Sequence, residues 1–111
     1  MREIFTITTL EEYTSITEKY KILIFKASAE WCKPCKIIED LFYELVGGLP
    51  DNVPVILIDY DNSKEIKRKL HIRSIPYVCS IIDGDVIDVV NSANKPAIKN
   101  LFSKLHNKIF K

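Results

Sequence analysis

Apolar residues follow two rhythms along this chain. In EIFTI (3–7) they alternate with polar residues at a period of two and include β-branched side chains, which predicts a half-buried strand. KILIFKA (21–27) and VPVILIDY (53–60) contain short unbroken apolar runs, too brief for helices and rich in Ile and Val, as expected of strands buried on both faces. YVCSII (77–82) and DVIDVV (85–90) flank Asp83-Gly84, a dipeptide suited to a tight turn, and predict two antiparallel strands at the end of the sheet.

Between these segments the period lengthens to that of a helix. Thr9 is an N-cap candidate with Glu12 three residues on, and Leu10, Tyr13 and Thr17 share one face of TLEEYTSITEKY (9–20). Ile37, Ile38, Leu41, Phe42 and Leu45 form a second apolar stripe that stops at Gly47-Gly48, where a left-handed C-cap is expected. NSKEIKRKL (62–70) has Asn62 as a cap and few apolar residues, so it reads as a solvated surface helix rather than a binding patch. Asn94 caps a last helix with Pro96 in its first turn and Ile98, Leu101, Phe102, Leu105 and Ile109 on its buried face. The order is βαβαβαββα, without linker or repeat, and predicts an α/β chain folded as one domain over 1–111.

Composition narrows the function. Sixteen Lys and Arg against fifteen Asp and Glu leave a net charge of +1, so no global field draws the chain to nucleic acid or to an anionic membrane. No stretch approaches the ~18 apolar residues of a membrane span, and MREIFTITTL lacks the apolar run of a signal peptide. Three cysteines are too few for the disulfide framework of a small secreted module. A cytoplasmic location is the expectation.

Two of those cysteines, Cys32 and Cys35, sit in AEWCKPCK (29–36), between a buried strand and a helix. A zinc site would need four ligands, and only Cys79, His71 and His106 remain to complete one. A purely structural disulfide would close too short a loop to remove much unfolded-state entropy. A redox dithiol, in contrast, needs its nucleophilic sulfur at a helix N-terminus, where unpaired backbone N–H groups and the helix dipole favour the thiolate. Cys32 occupies that place. Lys33 and Lys36 add positive charge, Pro34 fits the first turn, and Cys35, one turn in, is expected to be the more buried of the pair.

Taken together, ILIF leading into AEWCKPCK, HIRSIPYV about forty residues later, the Asp83-Gly84 hairpin and the amphipathic C-terminal helix resemble the thioredoxin family over nearly the whole chain. The resemblance implies a five-stranded mixed central sheet flanked by four helices, and a cis peptide bond before Pro76 that shapes the site. It implies a thiol-disulfide oxidoreductase that reduces protein disulfides, with Cys32 as nucleophile and Cys35 as resolving thiol. Trp31, Lys33, Pro34, Ser74, Ile75 and Ser92 would contact the substrate, with Ser74-Ile75-Pro76 pairing to its extended backbone. No metal or bound cofactor is expected. Electrons would come from an external donor such as a thioredoxin reductase, and the chain is expected to act as a monomer. Trp31 also fits a core aromatic, and Cys79 a small buried hydrophobe.

The chain also departs from the family pattern. Lys26 stands where a buried aspartate typically takes the resolving thiol's proton. Charged, Lys26 would stabilise a thiolate and make the disulfide more oxidising; neutral, it would accept a proton; the favoured reading bends its head to solvent. The lysine that accompanies that aspartate is absent too, its place assigned to Val55. Ser28 replaces an aromatic, Asp40 a helix-kinking proline, and Ser92, next to Asn91, a glycine. These departures keep two alternatives open: an interaction module that retains the dithiol, and a more oxidising disulfide oxidant or isomerase.

Overall fold

The computed structural model describes residues 1–111, and its elements follow the predicted order: β1 (Ile4–Ile7), α1 (Leu10–Lys19), β2 (Ile22–Ser28), α2 (Lys33–Gly47), β3 (Val55–Asp59), α3 (Lys64–Leu70), β4 (Tyr77–Ile82), β5 (Asp85–Val90) and α4 (Lys95–Phe110). A 3₁₀ turn, Tyr60–Asn62, precedes α3. The strands form one mixed sheet in the order β1-β3-β2-β4-β5. β3 lies parallel to both β1 and β2, whereas β4 runs antiparallel to β2 and β5 antiparallel to β4.

The central place of β2 follows from its apolar run, buried from Leu23 through Ala27. Because successive side chains leave a strand on opposite faces, the run feeds two cores. Leu23, Phe25 and Ala27 meet Tyr13 of α1 and Ile66 of α3 on one face. Ile24 meets Phe42 of α2 and Phe102 of α4 on the other. At the edge, β5 alternates between exposed and half-buried residues. No helix is long and apolar enough to cross a membrane.

Local chemistry sets most of the boundaries. The Thr9 hydroxyl accepts the Glu12 N–H, and the Glu12 carboxylate accepts the Thr9 N–H, both at 3.1 Å, closing a reciprocal cap on α1. The Asp83-Gly84 turn has φ of 53° and 82°, the paired left-handed conformation whose twist matches a two-residue hairpin. Asn94 caps α4 by accepting the Ala97 N–H at 2.9 Å.

Other boundaries differ from expectation. Gly48 is right-handed, with φ −85° and ψ −5°, so no left-handed glycine ends α2. The guanidinium of Arg2 braces this end, donating to the carbonyls of Val46 (2.8 Å) and Leu49 (2.9 Å), and also to those of Pro50 (2.9 Å) and Val53 (2.6 Å). The Leu45 and Val46 carbonyls still accept the Gly48 and Leu49 N–H groups, at 3.1 and 3.0 Å, and Arg2 adds a cation to the Val46 carbonyl at the negative end of the helix. Asn62 does not cap α3, because its amide is drawn to the Asp59 carboxylate; the cap position is Ser63, which makes no side-chain capping bond. On α2 the buried stripe runs through Cys35, Ile38, Phe42 and Val46, leaving Ile37 exposed. With Ile38 centred on the core, Ile37 is rotated about 100° away, outside the stripe.

Candidate active site

The polypeptide leaves the centre of the sheet at Ser28 and reaches α2 in four residues. Cys32 is the N-cap: its N–H donates to the Ala29 carbonyl (3.1 Å), and its own carbonyl accepts the Lys36 N–H (3.3 Å). The Cys32 Sγ accepts the Cys35 N–H at 3.2 Å, as a capping oxygen would. Lys33 and Pro34 are the first two helical residues, where a missing N–H costs nothing, and both are exposed. The two cysteines are joined as a disulfide, with Cα atoms 5.3 Å apart. Asp40 lies within α2, which runs unbroken.

Burial does not separate the two cysteines as expected, since Cys32 is 3% and Cys35 4% exposed. In the closed disulfide each sulfur covers the other. What distinguishes them is their place on the helix, Cys32 outside the first turn and Cys35 within it.

Trp31 is 64% exposed and therefore no core aromatic. Its indole N–H donates to the Asp61 carboxylate at 2.7 Å, which anchors the ring beside the dithiol loop and leaves its apolar surface to solvent. Asp61 belongs to the 3₁₀ turn after β3, at the same end of the sheet as the C-terminus of β2. Opposite, the Ile75–Pro76 bond is cis, and Tyr77 pairs with Ala27, so this loop abuts the end of β2 from which the dithiol loop departs. Pro76 is buried, Ile75 half-buried and Ser74 exposed. Ser92 is also exposed, its hydroxyl oxygen accepting the Asn94 N–H at 3.3 Å.

Lys26 does not reach for solvent. The residue is 3% exposed, and its Nζ lies over the rings of Phe42 (4.7 Å) and Tyr43 (4.9 Å) of α2. The β2 register turns Lys26 toward the same core as Ile24, and the aromatic faces there provide the negative potential that water would otherwise supply. Burial pushes the lysine's pKa down, and the nearby Glu39 carboxylate pulls it part of the way back. Beside Lys26 on β3 stands Leu57, not Val55, which pairs with Ile24; the accompanying position is apolar in either case.

Three residues that sequence reasoning did not single out complete the site. Glu39 lies one turn beyond Cys35 on α2 and shares with it a cleft of about 320 Å³, lined also by Ser28, Lys36, Leu57 and Asp59. Asp61 holds Trp31, and its signal was its place just past a buried parallel strand, the end at which open α/β sheets bind ligands. Asn91, directly after β5, donates to the loop carrying Pro76. By contrast, Cys79 is fully buried, and burial raises its pKa to about 12, as befits an inert thiol. His71 closes α3 in the left-handed region (φ 58°), and His106 packs against Phe110 on α4.

The thioredoxin family model matches residues 4–104. A thioredoxin from Coprinus comatus is 32% identical over 101 residues, covering 88% of this chain and 93% of that protein. Thioredoxin 1 of Plasmodium falciparum is 33% identical over 98 residues, with the same coverage, 88% and 93%. The oxidised mitochondrial thioredoxin 3 of Saccharomyces cerevisiae superposes with a TM-score of 0.82 at 26% identity, over 91% of this chain and 94% of that one. The five-stranded sheet with its four helices is thus the thioredoxin fold, and the chain belongs to the thioredoxin family, as a thiol-disulfide oxidoreductase with a Cys-X-X-Cys redox pair.

Proposed function

We propose that Cys32 is the attacking thiol and Cys35 the resolving thiol in the reduction of protein disulfides. The observation that carries this assignment is the N-cap position of Cys32, whose sulfur receives the Cys35 N–H at 3.2 Å. Once the pair is reduced, that N–H and the helix dipole favour a thiolate on Cys32. The thiolate attacks one sulfur of a substrate disulfide; that bond breaks, and the departing sulfur leaves as a thiolate that takes up a proton. Cys35 then gives up its proton and attacks the Cys32 sulfur. The mixed disulfide breaks, the second substrate thiol is released, and Cys32 and Cys35 remain oxidised, two electrons having passed to the substrate. A separate dithiol donor, such as a thioredoxin reductase, restores the reduced pair.

The remaining residues act in binding. Trp31, Lys33 and Pro34 form an exposed rim beside the sulfurs, and Ser74, Ile75 and cis-Pro76 offer backbone to an extended substrate, with Ser92 on the same border. Lys26 is a weak modulator of the dithiol, because its ammonium rests on the rings of Phe42 and Tyr43, residues about two turns of α2 beyond Cys35. We read residues 1–111 as one domain, acting as a cytoplasmic monomer, where three cysteines, of which only the redox pair is bonded, suit a reducing compartment.

Trapping tests the assignment. Cys35→Ser should abolish turnover of a protein disulfide and accumulate a covalent mixed disulfide through Cys32, while Cys32→Ser should lose both turnover and trapping. Sustained turnover by Cys35→Ser, or a trapped adduct in Cys32→Ser, would reverse or remove the roles.

A further inference from the structure

The loop carrying Pro76 is held by the side chain of the residue just past β5. Asn91 donates from Nδ2 to the carbonyl oxygens of Ser74 (3.0 Å) and Pro76 (2.8 Å). Its Oδ1 accepts the Ser74 hydroxyl at 3.3 Å, which orients the amide so that its nitrogen faces the two carbonyls. A primary amide has two N–H donors, and both are used here, one on each side of Ile75. The N–H and carbonyl of Ile75 itself make no hydrogen bond within the chain. Backbone pairing between β4 and β5 begins at Val78 and Val90, so the Asn91 side chain continues the cross-strand connection into the loop.

We propose that Asn91 is a positioning residue for disulfide reduction: it fixes Ser74 and Pro76 so that the Ile75 backbone is presented, unpaired, to an extended substrate strand. This rests on the reading that Ser74-Ile75-Pro76 pairs with substrate backbone. Without the amide, the loop has to be ordered at the moment of binding, and that entropic cost falls on substrate affinity rather than on the chemistry at Cys32. The carbonyls of Ser74 and Pro76 would also be free to take substrate N–H groups out of register.

The test compares wild type with Asn91→Ala on two disulfide-bonded peptides that differ only in N-methylation of the backbone amides flanking the reacting cysteine, and on dithiobis(nitrobenzoate), a small disulfide with no backbone to pair. Wild type should prefer the unmethylated peptide by about tenfold in kcat/KM, the worth of one or two hydrogen bonds. In Asn91→Ala that preference should fall to about twofold. The loss should lie in KM for the unmethylated peptide and be several-fold smaller for dithiobis(nitrobenzoate). A variant that keeps the wild-type preference overturns the role of Asn91 and leaves backbone pairing intact. So does an equal loss on all three substrates, which marks a merely structural contact. A wild type with no preference overturns backbone pairing, and the proposal with it. Should Asn91→Ala fail to fold, Asn91→Asp keeps the shape but replaces the donor with an acceptor, and is read by the same criteria.

Discussion

Exchanging Lys26 for methionine removes a charge beneath α2 while keeping most of the side chain's length. The ammonium lies 4.7 Å from the Phe42 ring centre and 4.9 Å from that of Tyr43. Those rings follow Cys35 by seven and eight residues. At 1.5 Å per residue this places the charge about 10–12 Å along the helix from the resolving thiol. Cys32, which carries the thiolate, lies farther still, so with an effective dielectric between 20 and 80 the charge stabilises it by at most about 0.4–1.5 kcal/mol. At 30 mV for each 1.4 kcal/mol, the potential moves by about 10–30 mV. The reduced form carries the thiolate, so losing the positive charge should lower the potential. Lys26→Met should therefore be more reducing than wild type by no more than about 30 mV, with wild type near −270 mV. Equilibration with defined glutathione ratios, followed by thiol trapping, measures both proteins. Repeating it at 1 M salt, where the screening length drops to about 3 Å, should shrink the difference. A drop beyond about 60 mV, nearly 3 kcal/mol, would refute the placement of the ammonium, and a wild-type potential at or above about −180 mV would put the protein among oxidants and isomerases.

Further outcomes follow from contacts away from the sulfurs. Arg2→Ala should destabilise the fold by about 1–3 kcal/mol in chemical denaturation, because it leaves the Leu49 and Val53 carbonyls without a donor and takes a second donor from those of Val46 and Pro50, and Arg2→Lys should recover less than half since an ammonium lacks the guanidinium fork. Burial raises the Cys79 thiol from its ordinary 9.0 to about 12. Above pH 9 the unfolded chain therefore sheds that proton while the folded chain keeps it, and stability falls by about 1.4 kcal/mol per pH unit for this group. Between pH 9 and 11 Cys79→Ala should lose about 2 kcal/mol less than wild type by urea denaturation. Part of the slope above pH 10 should remain, because burial raises Tyr13 as well, from 10.0 to about 12. Asp61→Ala should free the only indole, shift its emission, and reduce kcat/KM on a protein disulfide by about threefold, the worth of a solvated hydrogen bond.

The elements were legible in the sequence because each is specified within its own segment. The unbroken ILIF run marks a strand buried on two faces, Thr9 and Glu12 cap each other, and Asp83-Gly84 supplies the two left-handed residues of its turn. The dithiol was equally plain, since its helix begins with the cysteine itself. Less legible was whatever depends on partners brought together by the fold. Alternation assigns Lys26 to a face of the sheet but cannot say toward which end its four methylenes lie, and the two aromatic rings that receive the ammonium come from another element. The neighbour of Lys26 was misassigned by two residues because sliding a strand by two keeps every side chain on its face, so the apolar pattern does not fix that register. Arg2 reads as one more surface charge until β1 lies beside β3 and brings it to carbonyls 44 to 51 positions away. It thereby secures the end of α2 opposite the one that Cys32 caps, so the helix that aims the dithiol is held at both termini. Trp31 with Asp61, and Ser74 with Asn91, repeat the same principle at the site: local pattern makes the strands and helices, while polar contacts between their ends, distant in sequence, set the reactive surface.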